Sequence, residues 1–170
     1  MKEMKSITLY NSLIEKLNYY EMKLLQRHGE SINCKKGCDY CCMLESVFPI
    51  EAYIIYSSPI DMNIICESYT SNEKEETCVF LKDKICTIYS ARPVICRTHG
   101  YPVFVEGRAD MCPENFKDIK SIDSEYILDL ENVNNAIASI NIIFQKEIDE
   151  EFFTAPRIPL KELKDFMLKR

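Results

Sequence analysis

Four cysteines fall within nine residues in the run Cys34-Lys35-Lys36-Gly37-Cys38-Asp39-Tyr40-Cys41-Cys42. No other stretch limits the chain's options as much. Clustered thiolates are soft donors that select zinc, copper(I) or iron–sulfur clusters. Gly37 frees the backbone to curl and aim several sulfurs inward. Asp39 suits a turn.

A second, wider group follows at Cys78, Cys86, Cys96 and Cys112, and Cys66 brings the total to nine. In an exported protein such a count would suggest a disulfide framework. The number is odd, however, and Met1 to Thr8 lacks the apolar core of a signal peptide. A reducing cytoplasm is therefore expected, where clustered cysteines serve as metal ligands or catalytic thiols. No apolar run approaches the roughly 20 residues of a membrane span, so no membrane partner is expected. The net charge of −6 speaks against nucleic acid as a partner, since an acidic chain repels a phosphate backbone.

The 170 residues are expected to form one domain, 1–170, and 46% hydrophobic content is enough for a core. Apolar residues at helical spacing predict a helix over 6–28, with Ser6 as N-cap, Gly29 as stop and His28 suiting the helix dipole rather than a metal. Short helices are predicted at Pro49–Ser57 and from Ser58 to about Tyr69, with Cys66 packed in the core. Thr70–Thr77 reads as a charged surface linker. Cys78–Cys86 reads as a hairpin or knuckle, Ser90–Arg97 as a capped helical turn, and Tyr101–Gly107 as a strand and turn. The strongest stripe predicts a helix over 123–152 capped by Asp123, and a last helix spans Leu160–Leu168 with Leu163, Phe166 and Met167 inward. The expected fold is mainly α: a small helical domain whose scaffold, 6–28 and 123–168, brackets an irregular cysteine-rich metal-binding section with short hairpins at about 30–112.

Eight cysteines, Cys34, Cys38, Cys41, Cys42, Cys78, Cys86, Cys96 and Cys112, are the candidate ligands, and three arrangements fit them. Each group could hold its own tetrahedral zinc, the groups could interleave in a dinuclear site, or four thiolates could hold an iron–sulfur cluster. The spread of the second group weighs against two separate fingers, and adjacent Cys41 and Cys42 are expected to diverge. The favoured expectation is that the two groups meet in space. His99 is the best non-cysteine candidate. Arg97 could donate to a thiolate, and Arg92 could do so or pair with Glu51. Tyr89 reads as packing.

The cysteine block, together with Cys78-Val79-Phe80-Leu81, Cys86-Thr87-Ile88-Tyr89-Ser90-Ala91-Arg92-Pro93-Val94-Ile95-Cys96-Arg97 and the late Cys112, resembles the bacterial YkgJ-type cysteine-cluster family. That family is also called the CxxCxxCC zinc- or iron-chelating domain. One departure is the first gap, which is three residues here where the family has two. The resemblance implies a zinc or iron cofactor. Flagellin lysine N-methylases look like relatives with the same motif, associated there with an iron–sulfur cluster. This similarity implies a [4Fe–4S] option and an alternative function: an iron–sulfur enzyme or enzyme core for modifying a protein or peptide substrate, for example by S-adenosylmethionine-dependent lysine N-methylation. No paired-carboxylate, Ser–His–Asp or phosphate-loop motif offers another catalytic reading.

Overall fold

Tyr10, Leu17 and Leu24 lie seven residues apart and are all buried, which gives the first helix its inward seam. This helix, α1 (Lys5–His28), belongs to the first of two compact units in a computed structural model that describes residues 4–34, 37–67 and 77–169. The first unit comprises Met1–Lys35 and Val94–Ile142, and the second Lys36–Pro93 and Ile143–Arg170. Six α-helices and seven short strands make up the regular structure of the described residues, with helix dominant.

In the first unit, α1 starts one residue before the expected position. Met4 is the N-cap, and Ser6 is buried inside the first turn rather than capping it. Arg27 and His28 occupy the last turn, where cations suit the carbonyl end of the dipole. Gly29 keeps a right-handed φ of −57°, so the chain tightens into a 3-10 turn at Gly29–Ser31 instead of reversing. His28 does more than cap. Its ring packs edge-on against Phe116 and Tyr126, with centroids 5.9 and 5.0 Å away.

Pro93 is followed by the short helix α4 (Val94–Thr98). Strands β4 (Val103–Val105) and β5 (Arg108–Asp110) form an antiparallel hairpin. Glu106 and Gly107 turn it with φ of 52° and 78°, the left-handed pair that matches strand twist in a two-residue loop. The largest departure from the sequence expectation comes next. Residues 124–126 form a 3-10 turn, and β6 (Leu128–Asp129) then runs parallel to β4. The Leu128 N–H is held by the Pro102 carbonyl at 2.9 Å. Asp123 therefore caps only that turn, and α5 (Leu130–Glu147) begins seven residues late, with Asp129 Oδ1 accepting from the Asn132 N–H at 2.9 Å. A sheet edge outcompeted helix propensity over 123–129. The helix also stops short of 152, and a 3-10 turn occupies Glu151–Thr154. Leu24, Tyr101 and Phe116 form the small core, with Tyr20, Ile32 and Tyr126 packed against it.

In the second unit, α2 (Pro49–Ser57) has the expected bounds, with Pro49 at its start and Glu51 Oε2 accepting the Phe48 N–H at 3.1 Å. Ser58 does not open the next helix. It closes α2, its hydroxyl donating to the Ile54 carbonyl at 2.7 Å. Asp61 opens α3 (Met62–Glu67) by accepting the Asn63 N–H at 2.9 Å. The Cys66 side chain and almost all of the predicted linker lie outside the described residues. Strands β2 (Leu81–Lys82) and β3 (Ile85–Cys86) form the expected hairpin, and Asp83 and Lys84 take the left-handed turn positions at φ 48° and 61°. The two-residue strands β1 (Ser46–Val47) and β7 (Ile158–Pro159) pair antiparallel ahead of α6 (Leu160–Leu168), which has the predicted bounds. Phe144, Phe153, Tyr53, Tyr56, Phe152 and Phe166 interlock as the aromatic core, with Phe152 stacked on Phe166 at 4.1 Å.

Candidate metal centre

The second unit carries Cys38, Cys41, Cys42, Cys78 and Cys86. Gly37 enters the segment with φ of 96°, a conformation that a side chain would strain, so the freedom read from the sequence is used. The chain then turns, with the Cys42 N–H bonded to the Asp39 carbonyl at 3.0 Å and the Met43 N–H to the Cys41 carbonyl at 3.0 Å. Asp39 thus acts as the turn residue, and its carboxylate lies 3.9 Å from the Lys84 ammonium of the β2–β3 hairpin. The Cys78 N–H donates to the Cys42 carbonyl at 2.8 Å, which joins the first cysteine segment to the second.

Three thiols of this unit, Cys41, Cys78 and Cys86, are raised above the ordinary thiol value. Cys41 is raised well above an ordinary thiol, chiefly by its hydrogen bond with Cys42 and then by burial. That contact corrects the expectation that Cys41 and Cys42 diverge: the turn at 39–42 brings their side chains together. Burial also raises Cys78, opposed by the Phe80 N–H and by the Lys164 charge, while neighbouring Cys86 adds to the rise. Burial raises Cys86, opposed by the Ile88 N–H and the Arg92 charge. Each of these two sulfurs therefore meets the amide two residues ahead, an arrangement suited to stabilising a thiolate. The hairpin sets it up by pairing Cys86 with Leu81 and bonding the Thr87 N–H to the Phe80 carbonyl at 2.8 Å.

Arg92 is buried, with its guanidinium 4.1 Å above the Tyr89 ring, and Tyr89 is itself mostly exposed. Tyr89 thus serves as the platform for a cation. Glu51 is also buried and takes part in the cap of α2.

The first unit carries Cys34, Cys96 and Cys112. Gly100, just past α4, has φ of 89°, and a Cβ there would stand 3.0 Å from Cys34 Sγ and 3.5 Å from Cys112 Cβ. The positive φ and the close approach to Cys34 Sγ both favour glycine at this position. Asn115, almost fully buried, ties the corner together. Its Nδ2 donates to the Gly100 carbonyl at 2.6 Å and to Cys34 Sγ at 3.2 Å, while its Oδ1 accepts the Asn33 N–H at 2.8 Å. The Asn115 N–H in turn donates to the Cys112 carbonyl at 3.0 Å. Cys96 lies exposed on α4. The Arg97 guanidinium donates to Asn18 Oδ1 on α1 at 3.3 Å. His99 is exposed.

Segments of both sequence groups are thus linked inside each unit: Cys34 Sγ and Cys112 Cβ both lie beside Gly100, and the Cys78 N–H bonds the Cys42 carbonyl. Among the described residues, no three His, Cys, Asp or Glu side chains already stand as a metal-binding group. No described cysteine is in a disulfide. The donor set fits a thiophilic ion. It offers reduced sulfurs in close pairs, amide N–H groups directed at two of them, and buried cations near the same two. Two cavities, of about 820 Å³ at the C-terminal end of α1 and about 350 Å³ beside Tyr56 and Met167, have no cysteine in their walls.

Sequence reasoning missed Gly100, Asn115 and Lys164. Gly100 had a weak signal as a glycine directly after a helical turn, whereas the other two depend on tertiary packing.

Residues 33–113 match the model of the CxxCxxCC family, described as a "Putative zinc- or iron-chelating domain". No curated protein and no solved structure matches the chain.

Proposed function

We propose that this protein is a cytoplasmic metal-binding protein that holds zinc or iron, the iron either as an ion or as an iron–sulfur cluster. Its ligands come from Cys34, Cys38, Cys41, Cys42, Cys78, Cys86, Cys96 and Cys112. The observation that carries the reading is the Cys78 N–H bond to the Cys42 carbonyl. It brings the compact cysteine block against the hairpin whose sulfurs accept amide N–H groups, as thiolate ligands do. The family match at 33–113 supports the same class of ligand. A reducing compartment belongs to this reading, because a thiol must stay reduced to lose its proton to a metal. The irregular segment between α1 and α2 and the β2–β3 hairpin form the metal-bearing part, and the helices hold it in place.

Anaerobic purification followed by metal and acid-labile sulfide analysis tests the proposal. Stoichiometric zinc, or iron with or without sulfide, is the expected result. Full-length, folded, reduced protein that takes up neither metal on reconstitution would refute it.

A further inference from the structure

Helix α6 buries Leu160, Leu163, Lys164 and Met167, all at 3% exposure or less. These are positions i, i+3, i+4 and i+7, the spacing of a core-facing stripe. Three are apolar, as the pattern requires, and the fourth is a lysine. An ammonium taken out of water is costly unless negative charge or strong acceptors meet it. The Lys164 ammonium donates to the Val79 carbonyl at 3.0 Å. Val79 directly follows Cys78, and the Lys164 charge acts on the Cys78 thiol. A core position has thus been given to a cation that reaches the cysteine hairpin.

A divalent ion ringed by thiolates in excess of its own charge is a net anion. Such an anion in a poorly solvated site is stabilised by a nearby fixed cation. Lys164 lies well outside the 33–113 family segment, so nothing in that match assigns it a role.

We propose that Lys164 is a positioning residue of the metal centre: through the Val79 carbonyl and its own charge, it fixes the Cys78 end of the hairpin and offsets the negative charge of the bound metal–thiolate group. This rests on the metal-binding reading above. Arg92, buried near Cys86, stands in the same electrostatic relation to that thiol.

The test uses the full chain, reduced and stripped of metal. Zinc(II) affinity is read by competition with a chromophoric chelator, and cobalt(II) by its visible spectrum. Lys164→Gln keeps a donor for the Val79 carbonyl and removes the charge. Lys164→Met keeps only the apolar stem, and Lys164→Arg keeps the charge. Gln and Met are expected to weaken zinc binding about 10–100-fold, the usual effect of losing a group that supports a ligand. Both should also move the thiolate-to-cobalt band to longer wavelength, because an uncompensated thiolate gives up its electron more easily. Arg should stay close to wild type in both readouts. A Gln variant with wild-type zinc affinity and an unshifted band overturns the proposal, whatever the Met variant does. A wild-type chain that binds neither metal defeats the metal-binding reading itself, and this inference with it.

Discussion

Asn115→Ala is the sharpest probe of how the Cys34–Cys112 corner is built. The amide satisfies two backbone groups, the Gly100 carbonyl at 2.6 Å and the Asn33 N–H at 2.8 Å, and touches Cys34 Sγ at 3.2 Å. A net hydrogen bond contributes about 0.5–1.5 kcal/mol, so losing the two backbone bonds costs roughly 1–3 kcal/mol. The site is almost fully buried, which limits how far water can replace the lost partner, so the upper half of that range is expected. At roughly 2–4 °C per kcal/mol for a chain of this size, thermal unfolding of the metal-free protein should fall by about 4–12 °C. Alkylation of Cys34, followed by mass spectrometry, should speed up as its anchor is lost. Asn115→Asp is the internal control. It can still accept the Asn33 N–H, but it turns a carboxylate oxygen toward the Gly100 carbonyl and the Cys34 sulfur, so it should rescue little. An alanine variant with unchanged melting and unchanged Cys34 reactivity would refute the reasoning.

Other outcomes follow from the same contacts. Gly100→Ala forces a side chain into φ of 89° and within 3.0 Å of Cys34 Sγ, and should lower stability by about 1–3 kcal/mol in a denaturant titration. Phe153→Ala empties the middle of the aromatic core of the second unit, where Phe153 is 1% exposed, and should cost about 3–5 kcal/mol by the same titration. Burial raises the Tyr20 hydroxyl, which lies 2.9 Å from the Pro102 carbonyl and 3.0 Å from the Tyr126 carbonyl. Because the folded value lies above the ordinary tyrosine value of 10.0, this contribution to stability is fully present below it and is lost as pH rises through the folded value. Tyrosinate absorbance should therefore rise together with unfolding at alkaline pH, and Tyr20→Phe should separate the two. Metal removal by a strong chelator should lower the melting temperature of the loaded protein, since ligand binding to the folded state is folding free energy.

Much of this fold was legible because local rules and packing agree. Pro49 and the apolar run after it gave α2 its bounds, and the Leu160–Leu168 periodicity gave α6 its own. The hairpin at 81–86 was signalled by apolar runs on either side of a charged turn, whereas at 103–110 only the first strand and the Glu106-Gly107 turn were, because Arg108-Ala109-Asp110 is exposed and not an apolar run. Legibility failed where a distant partner decided the outcome. The 123–129 segment carries a good helical stripe, yet the open edge of β4 captured Leu128. The divergence expected of Cys41 and Cys42 rested on their adjacency alone, and the Asp39–Cys42 turn brings their side chains together instead. The cysteine pattern exposed the ligand candidates because thiolate chemistry is written in residue type. The residues that reach the cysteine segments from elsewhere in the chain, Asn115 and Lys164, carry no such label, and a lysine in an apolar stripe reads as an exception until its ammonium is found at the Val79 carbonyl.

The central claim is that cysteine sulfur holds the metal, and X-ray absorption at the metal edge of the anaerobically purified chain tests it directly. The account predicts a first shell made of sulfur, at about 2.3 Å if the ion is zinc. A first shell dominated by nitrogen or oxygen, on a protein whose cysteines are reduced, would contradict it.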